Sequence, residues 1–327
     1  MEENKARALL VEAGMKLLET GLVARTWGNI SVRLDEKNIL ITPSGLDYTL
    51  TKEEDIVPLN IETGEWQGAR KPSGERKVHI AAYKIYPDVN FVVHTHQNYA
   101  SAISLAGFTT LDITQEEKEA LGGIAVSGYG LPGTKKLTKN VAKALSGGAK
   151  VVLMEKHGAL ICASSFEDAM EKAKLLEEIC KRNIKGNFDE EADINLSDRL
   201  LSEAKAKYKY CALANTAAVV SLANAKKKIY AQLDDMAQMI GRKIPVVTKD
   251  KAVKKLEKYG AVLVPGVGAI VKADAEDDTA AMKLLVDKAA VSAIHTAALK
   301  KRARLSLIDC ALMNLVYKMK YSKQKNK

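Results

Sequence analysis

Apolar positions in the first turns of the chain recur at helical spacing, and they predict an amphipathic helix over residues 3 to 20 that stops at Gly21. The rhythm then changes. Short extended runs follow, "NISVRL", "NILITPSG" and "DIVPLNI", punctuated by Gly, Pro and Asn. "ERKVHIAAYKIY" returns to helical spacing and ends before Pro87. "NFVVHTH" reads as a strand, with "NYASAISLAG" as the helix behind it. "TKKLTKNVAKALSGG" predicts a helix with a glycine stop, and "KVVLMEKHGALICA" predicts two strands joined by a turn near His157 and Gly158. "SSFEDAMEKAKLLEEICKRN" is a further helix. Ser165 is placed to cap it, and Glu167 and Asp168 sit in its first turn, where carboxylates complement the helix dipole.

The polar stretch "KGNFDEEADINLSD" (185 to 198) interrupts this pattern, so we place a domain boundary there, with domains at 1–190 and 191–327. The second half echoes the first. "VLMEKHGALICA" (152 to 163) aligns without gaps on "VLVPGVGAIVKA" (262 to 273), 110 residues on, and an acidic helix start follows each. This reads as a decayed duplication, against the alternative of a chance match between two strand–turn–strand–helix units. In the second copy Val267 stands at the position of His157.

Composition narrows the picture. The 327 residues are 47% hydrophobic and 28% charged, which is ordinary globular material, and aromatics are sparse at 5%. The net charge of +10 does not come from one basic block with interleaved aromatics. It lies on helical faces such as "KKLTKNVAKAL" and in the tail "KMKYSKQKNK". We therefore expect no nucleic-acid partner, although an anionic small substrate suits the charge. The four cysteines, Cys162, Cys180, Cys211 and Cys310, show no paired spacing and predict free thiols in a reducing compartment. No apolar run approaches a membrane span, and the charged start "MEENKARALLVEAG" is unlike a signal peptide. The expectation is a cytoplasmic protein without a membrane partner.

The chain has only five histidines, and two of them stand in "HTH" at the end of a strand. Residues i and i+2 of a strand project to one side, so His94 and His96 point together. Two imidazoles are poor core filling but suit a zinc-type ion at about 2.0–2.1 Å. Alone, such a pair is equally the mark of ordinary surface residues. His157, at a turn and followed by Gly158, supplies a third imidazole, and three leave coordination positions open, as in catalytic metal sites. His79, in the helix after Glu75, reads as a supporting residue, and His295 is assigned no role. The turns "TWGNIS", "ITPSGLDY" and "KPSGERK" offer backbone N–H groups and hydroxyls to an anion, and together they suggest a phosphate pocket.

The ordered set "TWGNISVR", "ITPSGLDY", "KPSGERKVHIAAYKIYPDVNFVVHTHQNYASAIS" and "EKHGALICASSFEDAMEKAKLLEEI" resembles the class II aldolase/adducin family, from about residue 5 to 182. The resemblance implies an α/β fold with a central, mostly antiparallel sheet flanked by helices; a smaller degenerate α/β repeat would follow. It implies that His94, His96 and His157 hold a divalent metal, Zn2+ first with Mn2+ and Co2+ as alternatives. Glu75 would be the general base, and its being Glu rather than Asp tilts the reading toward carbon–carbon bond chemistry. Asn29, Thr42, Ser44, Gly45 and Ser73 fall on the family's phosphate-binding positions. Two departures stand out. Gly74 replaces a serine of the family's usual "PSSE", and the segment "LDITQEEKEALGG" lacks a tyrosine proton donor.

The implied activity is cleavage of a ketose 1-phosphate through a metal-stabilised enediolate by a homo-oligomeric aldolase. Sugar-phosphate 4-epimerase or dehydratase chemistry on the same platform is the alternative. A non-catalytic, adducin-like scaffold is a third reading, which retention of Glu75 and all three histidines argues against in the first half. The second half suits a packing role, as a pseudo-subunit.

Overall fold

The computed structural model describes residues 1–106, 111–187 and 198–320. Most of the polar stretch 185 to 198, and the tail beyond 320, lie outside the described residues. The chain forms two compact units, Met1–Asn183 and Ile184–Lys327.

The first unit runs α1 (Glu3–Glu19), β1 (Asn29–Arg33), β2 (Asn38–Ile41), β3 (Val57–Asn60), α2 (Arg76–Ile85), β4 (Phe91–Thr95), α3 (Asn98–Ser104), α4 (Gln115–Ala120), β5 (Ile124–Ser127), α5 (Lys135–Leu145), β6 (Val151–Met154), β7 (Gly158–Ala163) and α6 (Phe166–Arg182). The seven strands make one sheet in the order β3-β2-β1-β4-β7-β6-β5. Neighbours are antiparallel except β5 and β6, which run parallel because α5 carries the chain across between them. The sheet is therefore mixed but mostly antiparallel, as the family resemblance implied.

Local chemistry explains the elements. Leu10, Ala13, Gly14 and Leu17 form the buried stripe of α1. Thr134 and Ser165 cap α5 and α6 by accepting from the N–H groups of Leu137 and Asp168. The central strands β4, β6 and β7 are buried along their whole length, which is why they read as unbroken apolar runs. Alternation on β4 divides the core. Val92 faces a cluster that includes Val78 and Ala82 of α2 and Leu137 and Val141 of α5. Phe91 turns the other way, and its ring lies 5.6 Å from that of Phe166 on α6. His94 shares parity with Val92 and so points to the α2 side.

The second unit runs α7 (Asp198–Lys207), β8 (Tyr210–Ala214), α8 (Ala217–Asn224), β9 (Ile229–Tyr230), α9 (Asp234–Met239), β10 (Lys243–Ile244), α10 (Lys249–Lys255), β11 (Ala261–Val264), β12 (Gly268–Ala273), α11 (Glu276–Ala298) and α12 (Leu307–Lys320). It holds a three-stranded sheet, β11-β12-β8, and a two-stranded one, β10-β9. Leu200, Ala204, Val262, Val264, Val267 and Ile270 are part of its core.

The spans of β11, β12 and the start of α11 lie 110 residues beyond those of β6, β7 and α6. The turns agree as well: Lys156 and Gly266 both have positive φ, 63° and 75°. Strand β8 begins 119 residues beyond β4, and helices α8 and α9 begin 119 beyond α3 and α4. Pairing follows the same register, His94 with Leu160 in the first unit and Leu213 with Ile270 in the second.

Candidate metal centre

Strand β4 delivers His94 at its buried end, and the chain leaves the sheet immediately afterwards with His96. The turn between β6 and β7 delivers His157. Its position is set by Lys156 in the left-handed region and by the His157 N–H donating to the Met154 carbonyl at 3.0 Å. Because β7 pairs with β4, that turn lies beside the end of β4.

The three side chains converge. His94 Nε2 lies 2.9 Å from His96 Nε2 and 3.0 Å from His157 Nε2, and all three residues are buried. The Glu75 carboxylate, from the residue that opens α2, closes the fourth side at 3.1 Å from His94 Nε2 and 3.2 Å from His157 Nε2. Three nitrogens about 2.0–2.1 Å from one tetrahedral ion stand roughly 3.3 Å apart, close to the spacing seen. Imidazole lone pairs do not aim at one another at such range without a cation or protons among them. The donor set therefore fits a divalent ion of the borderline class, with the Glu75 carboxylate at the fourth side.

Surrounding groups orient the ligands. His94 Nδ1–H donates to the Ala159 carbonyl at 2.9 Å, so the Nε2 atom carries the lone pair. The Trp27 ring stacks against His96 with centroids 6.4 Å apart. His79 does not reach the cluster as a ligand. Its Nδ1 meets Ser31 Oγ at 2.7 Å, its Nε2 meets the Asn29 side chain, and the Asn29 amide in turn donates to Glu75 at 3.4 Å. Burial, with a smaller electrostatic push from the nearby His94, takes His79 down to about 3, so it stays neutral. Burial alone would raise the Glu75 carboxyl, but the facing His157 and His94 override it and hold Glu75 well below its ordinary value. Glu75 is thus a carboxylate at neutral pH.

Two glycines allow this close assembly. Gly28 has φ +81°, and a Cβ there would stand 2.5 Å from the His94 carbonyl oxygen. A Cβ on Gly158 would collide with the Thr95 carbonyl and lie 3.2 Å from His94 Cε1. Only glycine fits at either place.

The turns singled out as an anion pocket lie side by side. Ser44 N–H donates to the Lys71 carbonyl at 2.9 Å and Ser73 N–H to the Thr42 carbonyl at 3.1 Å, with Pro43 bridged to Pro72. Thr42 Oγ1 accepts from the Ile30 N–H and Ser73 Oγ from the Glu75 N–H, so each hydroxyl keeps its hydrogen to donate. Gly45 has φ +73°. Asn29 stands apart from this group, with its side chain committed to Glu75 and His79. The sequence reading missed the Ala159 carbonyl, Trp27 and Ser31. A backbone carbonyl carries no sequence signal, while the tryptophan beside a Gly-Asn turn was legible only as part of "TWGNIS".

Three converging imidazoles with a carboxylate beside them, at the end of a mixed sheet, define a metal-site enzyme scaffold. Residues 8–184 match the family described as the class II aldolase and adducin N-terminal domain, and the chain belongs to that family. It is 33% identical over 175 residues to the 5-deoxy-D-ribulose 1-phosphate aldolase of Bacillus thuringiensis, covering 53% of this chain and 82% of that relative. It is 32% identical over 189 residues to the 3-oxo-tetronate 4-phosphate decarboxylase of Haemophilus influenzae, covering 55% and 88%. A solved structure of L-fuculose 1-phosphate aldolase superposes with a TM-score of 0.51 at 32% identity, covering 54% of this chain and 84% of that one. The relatives mark the chain as related to sugar-phosphate lyases, and a divalent metal fits its site.

Proposed function

We propose that the protein is a metal-dependent aldolase that cleaves a ketose 1-phosphate, with Zn2+ on His94, His96 and His157. The observation that carries this reading is the approach of the Glu75 carboxylate to within 3.2 Å of two of three converging Nε2 atoms. The cation, when bound, supplies Lewis acidity toward carbonyl and hydroxyl oxygens of the substrate. Glu75 moves the proton: in the cleavage direction it takes the hydrogen of the hydroxyl that becomes the aldehyde. Asn29 and His79 keep Glu75 aimed at the centre. The paired turns of Thr42, Ser44, Gly45 and Ser73 take the phosphate and fix the reacting carbons near Glu75. Buried cysteines without a disulfide among the described residues suit a cytoplasmic enzyme, and no described helix is long and apolar enough to cross a membrane.

The second unit reads as a degenerate copy of the half of the first that begins at β4. The constant offset within each stretch, 119 residues for β8, α8 and α9 and 110 for β11, β12 and α11, and the shared register support this. By these offsets Leu213, Asn215 and Val267 stand where His94, His96 and His157 stand, so the copy keeps the packing and lacks the metal ligands.

The test is a substrate panel on metal-loaded protein. Ketose 1-phosphates are scored for dihydroxyacetone phosphate, and a 3-oxo acid phosphate for carbon dioxide, since loss of carbon dioxide also leaves an electron pair beside a carbonyl. Glu75→Gln is expected to keep the metal and lose about 10²–10⁴-fold in rate. Carbon dioxide release without any aldol cleavage would move the assignment to decarboxylation. Full activity in Glu75→Gln would remove Glu75 from the chemistry.

A further inference from the structure

Glu75, His79 and Tyr83 follow one another at steps of four from the residue that opens α2, and Asn29 and Ser31 stand two apart on β1. Four residues of helix rise roughly 6 Å and two of strand roughly 6.6–6.8 Å. The two rows therefore keep step, and their side chains alternate. Tyr83 Oη meets Ser31 Oγ at 2.9 Å, and Ser31 Oγ meets His79 Nδ1 at 2.7 Å. His79 Nε2 meets Asn29 Oδ1, and the Asn29 amide reaches Glu75 at 3.4 Å. Asn29, Ser31, His79 and Tyr83 are all buried.

The chemistry of the groups fixes the sense of every bond. A carboxylate only accepts, so Asn29 gives Glu75 an N–H and turns its Oδ1 to His79. That oxygen only accepts, so His79 carries its hydrogen on Nε2. A neutral imidazole then has a bare Nδ1, which accepts from the Ser31 hydroxyl, and Ser31 accepts from the Tyr83 phenol. Burial raises the Tyr83 phenol, so it keeps the hydrogen it donates. We propose that Tyr83, Ser31, His79 and Asn29 act as one string of four donors running toward Glu75, which makes Ser31 and Tyr83 remote positioning residues for that carboxylate. Bonds that run in one sense strengthen one another. The string also decides which way round the Asn29 amide sits: reversed, Asn29 would turn its oxygen on the carboxylate, acceptor against acceptor. This role rests on the proposed reading of Glu75 as the base beside the cation, and extends its support to two residues that touch neither Glu75 nor the three converging imidazoles.

The test has two readouts on the full chain, neither of them turnover. The first is the ring tautomer of His79 by long-range proton–nitrogen correlation NMR, in metal-free and zinc-loaded protein, with His79→Gln identifying its signals among the five histidines. Hydrogen on Nε2 and none on Nδ1 is the expected form; hydrogen on Nδ1 overturns the proposal. The second is zinc affinity by chelator competition. Ser31→Ala is expected to weaken it about tenfold and His79→Leu about 10–100-fold. His79→Gln, whose amide donates near the Nε2 position, is expected to recover most of the His79→Leu loss. In a Glu75→Ala background neither Ser31→Ala nor His79→Leu is expected to cost anything further, because the string has lost the group it holds. Equal losses with and without Glu75 would make these residues supports of the fold alone and overturn the proposal, as would an affinity that both variants leave unchanged. A wild-type chain that takes up no zinc defeats the proposed function instead, and the tautomer then decides the string by itself.

Discussion

Gly28→Ala isolates how tightly the sheet is drawn around the metal centre. Gly28 sits at φ +81°, and an added Cβ meets the His94 carbonyl oxygen at 2.5 Å and Val23 Cγ1 at 2.7 Å. Two costs follow. The left-handed backbone costs an L-residue about 1–2 kcal/mol. The collision forces β1 and β4 apart, and overpacking of this kind costs about 1–3 kcal/mol. The sum is about 2–5 kcal/mol of folding stability. Gly21→Ala is the matched control, with φ +71° and nothing within 4 Å of the added Cβ. It carries only the first cost. Urea unfolding of the metal-free proteins gives both values, and the difference between them is the collision alone. Displacing the His94 backbone also tilts its ring away from the other two, so metal affinity should fall about 10–100-fold in Gly28→Ala and stay unchanged in Gly21→Ala. Equal destabilisation by the two substitutions, within about 0.5 kcal/mol, would mean that Gly28 is not pressed against His94 and that the packing argument is wrong.

His157→Ala is expected to abolish stoichiometric metal binding, measured by elemental analysis after gel filtration, while far-UV circular dichroism stays that of the wild type. The pH dependence of stability has a sign set by His79. Its folded value is pushed down to about 3 while the unfolded chain titrates near 6.5, so the unfolded state binds the extra proton between those values. Stability is full above about pH 6.5 and falls by up to about 1.4 kcal/mol per pH unit below it, a slope that should shrink in His79→Gln when metal-free samples are unfolded at pH 7 and pH 5. Ser165→Ala removes the cap of α6 and should cost about 1 kcal/mol in thermal or urea unfolding without altering metal content.

On the proposed reading of the second unit as a degenerate copy, Leu213, Asn215 and Val267 take the places of His94, His96 and His157. Leucine and valine fill space without needing partners, so those substitutions stabilise a core where three imidazoles would demand a cation. On that reading the second unit serves packing.

What the sequence settled by itself is local. Helical periodicity, the Ser165 cap, the strand pairs around "EKHG" and the same-side projection of His94 and His96 all follow from interactions within a few residues, which travel with the chain wherever it goes. Resemblance of the ordered motifs added the role of Glu75. Tertiary structure decided the rest. The placement of β4 between β1 and β7 brings His157 to His94 across 63 residues of chain. The packing of α2 on that face turns Glu75 toward them and holds His79 back, against Asn29 and Ser31. Strand order and register depend on which distant apolar faces bury each other, and no window of sequence carries that information. The Ala159 carbonyl that orients His94, and the missing side chains of Gly28 and Gly158 that admit it, have meaning only once the strands lie side by side.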